Sequence, residues 1–190
     1  MSKFINESWL VLVMGIVFAT MLAGAQQSLS DRIKENQLRA LNEAIAEVVP
    51  GTIRSESIEI ENEDFKGNVY KCLDDGGKLV GWALDSSGGG FVDKIRLVVG
   101  IDPAGENIVG LKVIENVETP GLGNKIQDPE WTGQYIDLDT SREIKVEKRP
   151  PNEGANEVQA ITGATWSSRY VTDIVNAALP KVRPELDKHR

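Results

Sequence analysis

The chain has 190 residues, of which 41% are hydrophobic, and this suits one packed domain with an appendage. Its net charge of -8 and pI near 4.8 argue against a nucleic-acid partner, because neutralising phosphates requires clustered Lys and Arg. The single cysteine, Cys72, excludes an internal disulfide, and the single histidine, His189, excludes a Ser-His-Asp triad and a His-rich zinc site. We expect no catalytic side chain and no metal, so any chemistry must come from a bound group.

The N-terminal part of the chain is strongly apolar over residues 9–25, about the length that a bilayer core requires. This run predicts a transmembrane anchor, preceded by a short cytoplasmic N-terminus over residues 1–8. A cleaved signal peptide is the competing interpretation, because Ala23-Gly24-Ala25 resembles a signal-peptidase site. Lys3 weakly favours a cytoplasmic N-terminus, with the following domain outside.

A helical pattern follows the apolar run and stops at Pro50-Gly51. It predicts a juxtamembrane helix within residues 26–50, which we expect to pack on its own domain; a contact with a partner helix is the alternative. The apolar face of this helix would consist of Leu29, Ile33, Leu38, Leu41, Ile45 and Val48.

Short β-prone runs separated by turn residues dominate the chain after residue 51. Apolar residues alternate in the clearest of them, and Asp102-Pro103-Ala104-Gly105 joins it to the next run as a hairpin. We predict an α+β fold for residues 51–190, built on an antiparallel meander, with Cys72 as a small buried hydrophobe. The predicted strands cover residues 52–60, 67–73, 78–85, 95–101, 108–117 and 142–148.

Three other segments have simpler interpretations. We expect a mobile or tightly turning loop at Ser86-Ser87-Gly88-Gly89-Gly90 and no NAD site, because its three glycines lack the Lys-Ser/Thr of a phosphate-binding P-loop. Asp128-Pro129 is typical of a helix start, and we expect Trp131 to lie in the core or as a lid over a neighbouring loop. The polar residues 181–190 predict an exposed tail.

Residues 160–168 combine a small-residue turn, Thr162-Gly163-Ala164-Thr165, with the beginning of a helix. The helix is predicted by the apolar spacing of Val171, Ile174, Val175, Ala178 and Leu179. Thr165 would lie at or just before the helix start, where unpaired N–H groups favour a phosphate. From the residues alone, an N-cap role for Thr165 is the simpler interpretation.

Together with Ser167-Ser168, this turn resembles the flavinylation motif of the FMN-binding domain family, and Glu118-Thr119-Pro120-Gly121-Leu122-Gly123 resembles its second motif. The membrane-bound members are the G subunit of the Rnf complex and the C subunit of the sodium-pumping NADH:quinone oxidoreductase. The resemblance implies covalent FMN, with a phosphoester on Thr165. It also implies that the second motif lines the isoalloxazine ring. The family pattern has Asp three residues before the first Thr, where this chain has Gln159. The implied site residues are Thr162, Gly163, Ala164 and Thr165 in the first motif, and Glu118, Thr119, Gly121, Leu122, Gly123 and Lys125 in and beside the second.

The resemblance further implies a single-pass flavoprotein of a bacterial or archaeal cell membrane, with its FMN domain on the extracytoplasmic side. It would relay electrons in an Rnf-type ferredoxin:NAD+ oxidoreductase that pumps Na+ or H+. Its implied partners are iron–sulfur, NAD-binding and channel subunits, and a separate flavin transferase. The short chain and the continuation Thr165-Trp166-Ser167-Ser168-Arg169 favour the G subunit. The alternatives are the quinone-reductase C subunit and a non-redox anchored module in which Thr165 is a plain cap.

Overall fold

The computed structural model describes residues 2–58, 60 and 67–189, with side chains from residue 8 onward. The chain divides into two compact units, Met1–Ala40 and Leu41–Arg190.

The first helix, α1, runs without a break over Ser2–Val48. The predicted anchor and juxtamembrane helix are therefore one element. In the part of the chain that the structure describes, Ser8–Val48 is the one helix long and apolar enough to cross a membrane, judged by length and composition. Of the predicted apolar face, Leu41, Ile45 and Val48 are buried, whereas the three positions before residue 40 are exposed.

The second unit is organised around a five-stranded antiparallel sheet in the order β1-β2-β3-β4-β5, which confirms the predicted meander. Each strand pairs with the next along the chain, so short turns suffice as connections. The strands are β1 Arg54–Ile58, β2 Gly67–Leu73, β3 Leu79–Gly89, β4 Lys94–Ile101 and β5 Ile108–Glu115.

The loop expected at Ser86-Ser87-Gly88-Gly89-Gly90 is wrong at its first four residues, because β3 continues to Gly89. Gly88 pairs with Ile95 and Gly89 with Lys94. Only Gly90 lies in the turn, where its N–H donates to the Asp93 carbonyl at 2.7 Å. A Cβ at Gly88 would lie 2.6 Å from Ile174, so glycine is required there for helix packing rather than for mobility.

The C-terminal helix, α3 Thr165–Lys188, packs on one face of the sheet. The apolar stripe predicted for its first half is buried against alternate residues of the strands, among them Trp82, Leu84 and Leu97. The expected exposed tail is wrong, because the helix continues through Pro180 and Pro184 and buries Val182 and Leu186. Apolar residues spaced at one turn therefore outweigh the polar composition of this segment.

The end of α1 packs on the opposite face of the sheet, from Leu41 onward, together with the buried Cys72. Glycines leave room for its backbone. Gly100 and Gly110 are partners across β4 and β5, and a Cβ on either would collide with the Val48 carbonyl oxygen. Side-chain-free positions on the strands thus let the helix backbone approach the sheet closely.

Short elements connect β5 to α3: a 3-10 helix at Gly123–Gln127, α2 Pro129–Thr132, a 3-10 helix at Gly133–Tyr135, and two strands. Asp128 and Pro129 occupy the N-cap and first position of α2, as predicted, although the Asp128 side chain makes no cap hydrogen bond. The run at 142–148 forms β6 Lys145–Glu147, which pairs in parallel with β7 Glu157–Gln159, a strand that the sequence did not indicate.

We predict that Gly100→Ala lowers the free energy of unfolding by about 1–3 kcal/mol, since the added methyl group must displace the α1 backbone at Val48. Urea unfolding of the detergent-solubilised protein measures the effect. Gly133→Ala is the matched control, because nothing lies within 4 Å of a Cβ there. Equal stability of the two variants would contradict the close packing described for α1.

Burial raises the pKa of the Cys72 thiol to about 11, so the thiolate that alkylating reagents attack is scarce at neutral pH. We therefore predict that iodoacetamide at near-neutral pH leaves the folded protein unlabelled and labels it fully in denaturant. Intact mass measures both states, and rapid labelling of the folded protein would show that Cys72 is accessible.

Candidate functional site

An N-cap role for Thr165 would require α3 to begin at Trp166, but the helix begins at Thr165. Ala164 is the N-cap, with φ -132° and ψ 38°, and its carbonyl accepts the N–H of Ser168 at 3.0 Å. Thr165 is the first helical residue. The cap interpretation of Thr165 is therefore wrong: Gly163, with φ +85°, turns the chain so that Ala164 occupies the capping position.

Several polar groups at the start of α3 make no hydrogen bond within the described residues. Among the residues that the structure describes, the N–H groups of Thr165, Trp166 and Ser167 donate no hydrogen bond, and no side chain caps the end. The Thr165 hydroxyl, on a half-buried side chain, likewise makes no hydrogen bond within the described ranges. Unpaired N–H groups at the positive end of a 24-residue helix attract an anion.

Ser168 holds the turn in place. Its fully buried hydroxyl accepts the Ile161 N–H at 3.0 Å and donates to the Ala164 carbonyl at 3.0 Å. The Ala164 N–H also donates to the Ile161 carbonyl at 2.9 Å. These bonds fix the backbone on both sides of Gly163, so Thr165 is presented from a rigid turn.

A pocket of about 140 Å³ lies beside Thr165. Three of its walls are large apolar side chains that are unusually exposed: Phe91 at 60%, Leu122 at 46% and Trp166 at 57%. Exposed aromatic and aliphatic side chains around one pocket are typical of a ligand site. The remaining lining residues are Thr119, Gly123, Gly163, Ala164, Thr165 and Ser167.

The structure separates the site residues predicted from the sequence into three groups. Six line this pocket: Thr119, Leu122, Gly123, Gly163, Ala164 and Thr165. Thr162 and Lys125 instead line an adjoining pocket of about 250 Å³. Gly121 lies in the preceding turn with φ +77°, its N–H donating to Asn124 at 2.7 Å, and Glu118 is buried beneath the surface.

Three residues of the pocket, Phe91, Trp166 and Ser167, were not among the predicted site residues. Phe91 is brought to the pocket by the β3–β4 turn, far from both motifs along the chain. Trp166 lies within the motif and contacts Arg169, whose guanidinium carbon lies 5.4 Å from the indole centroid. An apolar aromatic on the exposed side of a helix start was the available signal for Trp166.

Trp131 is a core residue, as predicted, and it supports the chain just before the Thr162-Gly163-Ala164-Thr165 turn. Its side chain is 6% exposed, its indole N–H donates to the Gln159 carbonyl at 2.8 Å, and its ring meets Tyr135 edge-on at 5.5 Å. Gln159, at the position where the resemblance implies Asp, also lines the adjoining pocket.

The comparisons with known proteins agree with this geometry. Residues 90–180 match the FMN-binding domain family. The fold resembles the crystal structure of NqrC from Shewanella oneidensis, with a TM-score of 0.59 and 25% identity, over 73% of this chain and 72% of that one. The fold and site thus define an FMN-binding domain.

Two relatives narrow the assignment. The G subunit of the ion-translocating oxidoreductase complex of Methanosarcina acetivorans is 32% identical over 179 residues, which cover 90% of each chain. The G subunit of the Na(+)-translocating ferredoxin:NAD(+) oxidoreductase complex of Acetobacterium woodii is 36% identical over 54% of this chain and 49% of its own. The chain therefore belongs to the family of ion-translocating oxidoreductase complex G subunits, and with α1 it is a membrane-anchored flavoprotein subunit.

We predict that Ser168→Ala destabilises the protein by about 1–3 kcal/mol, because it removes a fully buried hydroxyl and leaves the part-buried Ile161 N–H without its acceptor. Amide exchange at Ile161 should accelerate with it. Ser28→Ala, at an exposed position of α1, is the control. Unchanged exchange at Ile161 would show that Ser168 does not hold the turn.

Proposed function

We propose that the chain carries FMN covalently, as a phosphoester between the Thr165 hydroxyl and the ribityl phosphate. One observation carries this proposal: Thr165 is the first residue of α3, and its hydroxyl makes no hydrogen bond among the described residues. In a capping threonine the hydroxyl oxygen would accept a hydrogen bond from a backbone N–H of the first turn. Here it is available for bonding beside three unpaired N–H groups.

The residues present fit the group. The N–H groups of Thr165, Trp166 and Ser167 would stabilise the phosphate charge, helped by the helix dipole. Phe91, Leu122 and Trp166 would contact the flat apolar faces of the ring. Gly163 and Ala164 would let the ribityl chain pass close to the backbone, and Thr119 and Gly123 would contact the ring edge.

Thr162, Lys125 and Gly121 lie further out, and we assign them to the outer edge of the same site. Thr162 and Lys125 line the adjoining pocket of about 250 Å³. The pocket that Lys125 lines also includes the carboxylates Asp128 and Glu130.

FMN supplies the redox chemistry, since it accepts and returns electrons, and the protein supplies binding and orientation. We propose that the subunit relays electrons within an Rnf-type complex, between ferredoxin and NAD+, as the names of the relatives from Acetobacterium woodii and Clostridium ljungdahlii state for those complexes. Other subunits would supply the iron–sulfur centres, the NAD site and the ion path. A separate flavin transferase would attach the FMN.

We further propose that residues 9–25 of α1 span the membrane, that residues 1–8 are cytoplasmic, and that residues 26–50 connect the span to an extracytoplasmic FMN domain over residues 51–190. The apolar side chains of the span are exposed in the structure, as lipid contact requires. A covalent link suits this location, because a flavin that cannot dissociate is not lost where free FMN is scarce.

The rival assignment is the C subunit of an NADH:quinone reductase. Such a protein of Yersinia pestis is 31% identical, but over 57% of this chain and 43% of its own length. The relative from Methanosarcina acetivorans matches over 90% of both chains. The extent of the match therefore favours the Rnf-type complex.

The test is in-gel ultraviolet fluorescence of the denatured full-length protein after expression with the cognate flavin transferase. We expect a fluorescent wild-type band, with the added mass of one FMN less water, and a dark Thr165→Val band. Thr165→Ser, which keeps a hydroxyl, should remain fluorescent. A dark wild-type band without added mass would rule out the flavin carrier.

A further inference from the structure

We propose that Glu118 is a positioning residue, whose buried carboxylate fastens two walls of the pocket beside Thr165 without contacting the flavin and whose charge lowers the flavin midpoint potential. The inference rests on the proposed function, because the pocket is taken to hold FMN. Glu118 is 3% exposed, although it belongs to a motif expected to line the ring.

The Glu118 carboxylate accepts three hydrogen bonds from two separate segments of the chain. One oxygen accepts the Phe91 N–H at 2.7 Å and the Val92 N–H at 3.1 Å. The other accepts the Ser167 hydroxyl at 2.7 Å. Glu118 therefore joins the β3–β4 turn, which carries the Phe91 wall, to the first turn of α3, two residues after Thr165.

Two glycines are placed around this carboxylate. A Cβ at Gly90 would collide with the carboxylate oxygen that Phe91 contacts. A Cβ at Gly123 would lie 2.8 Å from the Ser167 hydroxyl and 2.9 Å from the other carboxylate oxygen. Glycine at positions 90 and 123 thus leaves space for Glu118, which assigns Gly123 a structural purpose besides any approach to the flavin ring.

The charge of Glu118 has no local counterion. Within the described ranges no Lys, Arg or His forms an ion pair with it, and its partners are two N–H groups and one hydroxyl. A negative charge in a poorly solvated position acts strongly on nearby groups. It disfavours placing further negative charge on a flavin in the adjacent pocket and so lowers the flavin midpoint potential.

Glu118→Gln removes the negative charge but keeps the hydrogen bonds that join the two walls. Its amide oxygen still accepts from Phe91 and Val92, and its amide N–H donates to the Ser167 hydroxyl. Glu118→Ala removes the charge and the three hydrogen bonds together and leaves the two N–H groups without their acceptor. Glu143→Gln makes the same chemical change at an exposed position and is the control.

The experiment uses the full chain with FMN attached and compares Glu118→Gln, Glu118→Ala and Glu143→Gln. Midpoint potentials are measured by spectroelectrochemical titration, and flavin exposure by iodide quenching of fluorescence. We expect a more positive potential in Glu118→Gln with quenching near wild type, and several-fold stronger quenching in Glu118→Ala. Glu143→Gln should change neither. A wild-type potential in Glu118→Gln, or wild-type quenching in Glu118→Ala, overturns the proposal.

Two further measurements keep the test decisive. If Glu118→Ala does not fold, Ser167→Ala replaces it, because it removes one fastening bond and must also increase quenching. Amide exchange at Phe91 and Val92 needs no flavin, and we expect it to be about tenfold faster in Glu118→Ala. A wild type without flavin would refute the proposed function. A flavin-loaded wild type whose Glu118 variants behave like it would refute this inference alone.

Discussion

The site depends on a helix that starts without a side-chain cap. Four N–H groups at any helix start need partners from outside the helix, and a capping side chain usually supplies one of them. In α3 the capping position is taken by Ala164, whose methyl group cannot accept a hydrogen bond. The N–H groups of the first turn and the Thr165 hydroxyl are therefore left together, unpaired among the described residues, at the positive end of the helix. The esterified phosphate that we propose would satisfy both.

The sheet explains how this helix end is held. α3 packs along one face, and buried residues over more than five turns fix its axis, so its first turn has a definite place. The opposite face receives the last turns of α1 over glycines that bring backbone against backbone. Helix α3, which begins at Thr165, and the last turns of α1 thus pack on opposite faces of the same sheet.

The pocket beside Thr165 has the surfaces needed to bind and orient a flat, apolar group. Its walls are backbone, small residues and three exposed apolar side chains. The buried Glu118 carboxylate accepts hydrogen bonds from the Phe91 N–H and the Ser167 hydroxyl. It therefore joins three segments that are far apart in the chain. A site of this kind binds and orients a group, while the electron chemistry belongs to the group itself.

Local patterns in the chain were enough to predict the apolar N-terminal helix, the antiparallel meander and the buried stripe of α3, because each follows from a short period or from turn residues. Packing decided the rest. Whether Thr165 or Ala164 caps α3 depends on the turn that Gly163 and Ser168 impose, and composition could not show that residues 181–188 remain helical. Phe91 joins the pocket because strand pairing brings the β3–β4 turn to Glu118, 27 residues further along the chain. The Glu118 carboxylate is buried there because the packing of α3 on the sheet brings Ser167 to it from 49 residues away. Such contacts leave no local period in the sequence, since their partners are chosen by packing.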